Sequence, residues 1–217
     1  MVLSAEPPAP ELTFAVESAT PERYAAAPTL RLALAVHSGD ARPVHTLLLD
    51  VQVRIAARRR GYERAEEERL TEVFGPVEGW KSSLSSFLWT QATAFVPSFT
   101  GATVVDLTIP CTYDFEVVAA KYLDALRGGA VPLELLFSGT VFYGASSGQR
   151  IARLPLDREA TFELPIAVWR EAIDACFPGS AWLRLRRESF DRLAGYRARH
   201  TLPTWEATVE SLLEGAS

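Results

Sequence analysis

With 217 residues, 48% of them hydrophobic and 23% charged, the chain can bury one sizeable core, which excludes an intrinsically disordered protein. A net charge of −5 repels a phosphate backbone at long range, so no nucleic-acid partner is expected. No stretch approaches the roughly 18 uninterrupted apolar residues of a spanning helix, so no membrane span is expected either.

Residues 1–10, with Pro7, Pro8 and Pro10, read as a flexible, solvated lead-in rather than a signal peptide, which predicts a cytoplasmic location. Leu12, Phe14 and Val16 then alternate, predicting an edge strand over 11–18. Leu30, Leu32, Leu34 and Val36 recur at every second position, as do Leu47, Leu49, Val51, Val53 and Ile55. The turn-forming Ser38, Gly39, Asp40 and Pro43 between these two runs predict that they pair as antiparallel neighbours.

From Arg58 the pattern changes: Arg58, Arg59 and Arg60 precede a short helix in a long loop, with Leu70, Val73 and Phe74 on one face and Gly75 and Pro76 as the stop. Its glutamates, Glu63, Glu66, Glu67, Glu68 and Glu72, point around a helix instead of converging on a cation, and are read as a solvated face. Strands resume over 87–96 and 103–117, with Pro110 marking an edge or a bulge. Ala119, Leu123 and Leu126 predict a helix over 118–127, closed by Gly128 and Gly129. Residues 131–143 and 149–156 read as a hairpin across a glycine-containing loop, and 160–164 as a last short strand.

Ile166, Trp169, Ile173 and Cys176 follow at helical spacing, which sets Cys176 on the buried stripe. Two more helices are predicted over 189–199 and 204–213, the second capped by Thr204. The sum is an α+β fold: mainly an antiparallel β sandwich or wrapped sheet with one inserted helix and a C-terminal group of helices. It is read as a single domain, with a β-rich core over 11–164 and a helical extension over 165–217 packed on it.

Chemistry is sparse. Cys111 and Cys176 lie far from any CxxC spacing and read as core thiols in a reducing compartment. His37 and His45 flank the Gly39 turn, yet no third ligand at a suitable spacing accompanies them. Ser138, Gly139 and Thr140 lack the GxSxG elbow, and Asp114 with Glu116 is an ordinary same-parity pair on a strand. No phosphate-cradling glycine loop occurs, so the residues imply no catalytic group, no cofactor and no metal.

What remains points to interaction. Trp80, Phe99 and Trp205 sit in turn-like settings, for which a buried core position is the plain alternative. Arg184, Arg186 and Arg187 belong to the stretch 181–200, where six arginines face only Glu188 and Asp191.

Several segments together resemble a bacterial domain family of unknown function of about this length. They are Phe74-Gly75-Pro76 with Trp80, Leu88-Trp89-Thr90, Val96-Pro97-Ser98-Phe99-Thr100-Gly101, Pro110-Cys111-Thr112-Tyr113-Asp114-Phe115-Glu116, Lys121-Tyr122-Leu123, Phe137-Ser138-Gly139-Thr140-Val141-Phe142-Tyr143 and Leu202-Pro203-Thr204-Trp205. Such proteins are associated with gene clusters for nickel-iron hydrogenases, which implies an accessory or assembly role, although no CxxC pair is present to receive nickel. The layout of the first strands and of 119–132 is also similar to the SecB export chaperone, which implies an antiparallel sheet offering apolar grooves to unfolded chains. The expected function is therefore a non-enzymatic interaction or assembly module with a protein partner, and a homo-oligomer is open. A SecB-like chaperone, or a small-ligand binder or enzyme with a pocket in the sandwich, are the alternatives.

Overall fold

The computed structural model describes residues 9–40, 42–111, 117–144, 148–180 and 185–215. They form two compact units, 1–181 and 182–217.

The first unit is a sandwich of two antiparallel sheets. One sheet runs β1 (Leu12–Pro21), β2 (Thr29–Ser38) and β5 (Ala102–Pro110), with β2 in the middle. The other runs β4 (Phe87–Val96), β3 (Val44–Ile55), β6 (Ala130–Tyr143) and β7 (Arg150–Arg153), and β8 (Glu159–Pro165) pairs with the first half of β6. The predicted alternation sets the inner faces: Leu30, Leu32 and Leu34 on one sheet and Leu47, Leu49 and Val51 on the other are all buried. Phe14 of β1 stacks on Phe137 of β6, ring centroids 4.3 Å apart, and so joins the two sheets through the core.

The expected pairing of β2 with β3 is corrected. β2 is flanked by β1 and β5, and β3 by β4 and β6. The 38–44 connection crosses from one sheet to the other, so the two apolar runs face each other across the core instead of lying side by side. That path is fixed by backbone bonds to the loop that makes the same crossing between β4 and β5: Ser38 N–H donates to Gly101 at 2.7 Å, and Val44 and Phe99 exchange bonds of 2.9 Å. Pro110 closes β5, an edge strand, as its missing donor requires. The expected continuation of this strand through 112–116 lies outside the described residues, as do Asp114 and Glu116.

The insertion between β3 and β4 carries α1 (Arg64–Phe74) and the short α2 (Trp80–Ser83), and that between β5 and β6 carries α3 (Val118–Ala125). Their apolar faces meet in an aromatic cluster of Tyr62, Phe74, Trp80, Phe87 and Tyr122, packed edge to face. After β8, α4 (Ile166–Cys176) buries Ile166, Trp169 and Ile173 and packs against β1, β2 and β8. Cys176 is half-buried rather than part of that stripe, because the helix ends there.

The second unit holds α5 (Arg187–Arg199) and α6 (Trp205–Glu214), joined by a short turn and packed on each other. Thr204 caps α6 as its sequence predicts, its hydroxyl accepting from Ala207 N–H at 3.1 Å. Thr208 is wholly buried in this unit, and Tyr196 and Ser211 share a hydrogen bond of 3.0 Å.

Candidate functional site

The most chemistry-like constellation surrounds Glu66. This carboxylate is 2% exposed, which corrects the reading of the whole acidic run as a solvated face. Arg60 meets it bidentately at 2.8 and 3.0 Å, and the backbone N–H groups of Arg127 and Glu63 add bonds of 2.7 and 3.2 Å. Burial alone would raise the carboxyl pKa, but the Arg60 and backbone bonds outweigh it and hold the pKa at about 2. The remaining Arg60 donors reach Ala130 at 3.0 Å and Gly128 at 2.6 Å.

Every acceptor position is thus filled from within the protein, which leaves no lone pair for a substrate or a cation. The group ties α1 to the loop that leads from α3 into β6. Next to it, Tyr62 and Tyr122 share a hydrogen bond of 3.0 Å, and burial raises the pKa of both phenols. The sequence signal that could have found this site is the Glu63–Glu66 spacing of a capping box directly after Arg60.

The other sequence candidates separate by burial. Trp80 is 5% exposed and donates its indole N–H to Gly75 at 2.9 Å; Phe99 is 8% exposed beneath the sheet crossing. Both are core residues and offer no surface. Arg184 lies outside the described residues. Arg186 and Arg187 are exposed on the second unit, and Arg187 pairs with Asp191 one turn on, at 3.0 Å. Trp205 is 40% exposed, with Phe190 at 5.2 Å between ring centroids and the Arg197 guanidinium 4.7 Å over its ring.

Cys111 is buried, and burial pushes its thiol up to about 12, so it is an inert core residue. His37 and His45 are both exposed; His37 pairs with Thr13 and Ala102 in one sheet, while His45 is the extra residue of a bulge in the other. Among the described residues no cluster of three or more His, Cys, Asp or Glu is placed to hold a metal ion.

A surface that sequence reading did not single out lies on the outer face of the β4-β3-β6-β7 sheet. Leu48 of β3 sits directly opposite Phe95 of β4, and Phe142 of β6 opposite Ile151 of β7. The two rows are adjacent, because Leu48 and Thr46, the partner of Phe142, are successive outward residues of β3. Phe95 is 64% exposed, Ile151 65% and Leu48 46%. Around them lie Asp50, Thr93, Thr140 and Arg153, a polar rim on the same face. The signal was present as unbroken apolar runs, Ala94-Phe95-Val96 and Val141-Phe142-Tyr143, on strands otherwise expected to alternate.

Fold and surface together define a two-sheet antiparallel sandwich with inserted helices and an apolar outer face. The chain belongs to DUF6084, a family of unknown function, whose profile matches residues 9–217. No curated protein matches it. Among solved structures it is similar to a CARDB domain from Pyrococcus furiosus, at 11% identity over 72% of this chain and 92% of that one, with a TM-score of 0.28. It is also similar to a beta-glucosidase from Kluyveromyces marxianus, at 6% identity over 71% of this chain and 15% of that one, with a TM-score of 0.27. Overlap this loose carries no argument about activity. Among the described residues no helix is long and apolar enough to cross a membrane.

Proposed function

We propose that the protein is a non-enzymatic binding module whose partner is another protein, held on the outer face of the β4-β3-β6-β7 sheet. The observation that carries this reading is the contiguous Leu48, Phe95, Phe142 and Ile151 patch spanning four neighbouring strands. Leaving two large side chains about two-thirds exposed forgoes burial free energy at a place where polar residues would serve the fold equally well. An apolar centre with a polar rim is the arrangement of a protein interface. The partner is accordingly a folded protein with a complementary apolar ridge. Hydrogenase subunits and their assembly factors are the first candidates, in keeping with an accessory role in a bacterial cytoplasm.

The enzyme and small-ligand reading has less support. The space between the sheets is filled by aliphatic side chains and the Phe14–Phe137 stack, and the buried Glu66 centre is saturated by its own protein.

The test is a parallel purification of tagged wild-type protein and the Phe95→Asp/Ile151→Asp variant from the native host. Both positions are solvent-facing, so the variant keeps its fold. The expected result is a defined protein recovered with the wild type and depleted about tenfold or more with the variant. Equal recovery by both would remove the sheet face as the site.

A further inference from the structure

On a different surface, we infer that the α5–α6 unit pairs with the same unit of a second copy of this chain, forming a two-fold four-helix bundle. The two helices carry opposite charge. α6 has Glu206, Glu210 and Glu214 in one stripe and no cation, whereas α5 is rich in arginine. Within the protomer these charges do not meet: among the described residues neither Arg192 nor Arg199 nor any of the three glutamates makes an ion pair, and all five are exposed.

Beside the acidic stripe runs an apolar one, Trp205, Val209 and Leu212, spaced i, i+4, i+7 and exposed by 40, 43 and 41%. That is the seam of a helix packed on one neighbour and shaped for a second. The surface opposite exists on the same unit. An open groove of about 440 Å³ runs along α5, lined by Asp191, Arg192, Gly195, Arg199 and Leu212, with the Arg199 guanidinium lying over Gly195.

The lengths agree. Arg192 and Arg199 are seven residues, about 10.5 Å, apart on α5, and Glu206 to Glu214 spans eight residues, about 12 Å, on α6. A helix with an apolar seam and an acidic flank therefore fits a groove whose Arg192 and Arg199 are unpaired among the described residues and whose one carboxylate, Asp191, is already paired with Arg187. Because every copy carries both halves, a two-fold axis satisfies both at once, which is the condition for a closed, isologous dimer. Two helices of 13 and 10 residues bury an interface at the small end of the range, so the dimer is a weak, salt-sensitive one.

Sedimentation equilibrium of the full chain over roughly 1 to 100 µM tests this. The wild type should pass from monomer to dimer, and added salt should shift the midpoint upward. The charge-reversed variants Arg192→Glu/Arg199→Glu and Glu210→Lys/Glu214→Lys should each stay monomeric alone, and an equimolar mixture should restore the dimer as a heterodimer. That restoration also shows that both variants are folded. A wild type that is monomeric throughout, a dimer that survives both reversals, or two monomeric variants that do not rescue each other would overturn the inference.

Discussion

At the scale of single residues, the chain places a saturated buried ion pair where the helical insertions join the sandwich. Glu66 has its pKa held at about 2 by Arg60 and two backbone donors, well under the ordinary carboxylate range. A depressed folded pKa contributes stability that is fully present above the unfolded value and is lost as pH falls through the folded one. Wild-type stability should therefore decline from about pH 4.5 down to pH 2, and part of that decline should be missing in Glu66→Gln. At neutral pH the same substitution leaves Arg60 buried without its counter-charge, at a cost of about 3 to 5 kcal/mol. Urea unfolding of both proteins across pH checks both statements; a neutral-pH loss under 1 kcal/mol, by order of magnitude, would show that Arg60 finds other partners. The sequence made this residue hard to see, because one buried glutamate among five looks like its exposed neighbours. Only the Arg60-to-Glu66 geometry, set by tertiary packing, separates it from them.

At the scale of elements, β6 is the organising strand. Residues 130–136 pair with β8 and 140–143 with β7, while the opposite edge pairs with β3 from 133 to 143. The exchange happens around Gly139, whose φ of 156° belongs to the region that favours glycine, and whose carbonyl accepts from Leu154 N–H at 3.0 Å. A Cβ there would stand 2.0 Å from the Leu48 carbonyl oxygen. Gly139→Ala should thus destabilise by about 3 kcal/mol or more, read as a lower urea midpoint with an unchanged slope. Elements whose signals are local were legible in the sequence: the alternation of β2 and β3, the stop of α1 at Gly75, the cap of α6 at Thr204. The partners of β2 and β3 were not, because a turn-rich connection reads the same whether it closes a hairpin or crosses between sheets. Backbone bonds between the 38–44 and 99–101 segments, far apart in sequence, make that choice.

At the scale of the whole molecule, the chain combines a closed aliphatic interior with outward-facing apolar surfaces on the four-strand sheet face and on the α5–α6 unit. Burial takes Trp80 and Phe99 out of the interface candidates and leaves Trp205, while Leu48, Phe95, Phe142 and Ile151 enter from the outward face of the four-strand sheet. A binding role rests on what those four side chains touch in the cell. The most direct measurement is a photo-crosslinking amino acid placed at Phe95, compared with the same group at Thr108 on the outer face of the β1-β2-β5 sheet, both in the native host. The expected result is a discrete protein adduct at Phe95 and none at Thr108. No adduct at either position, or the same adducts at both, would contradict a partner seated on the β4-β3-β6-β7 face.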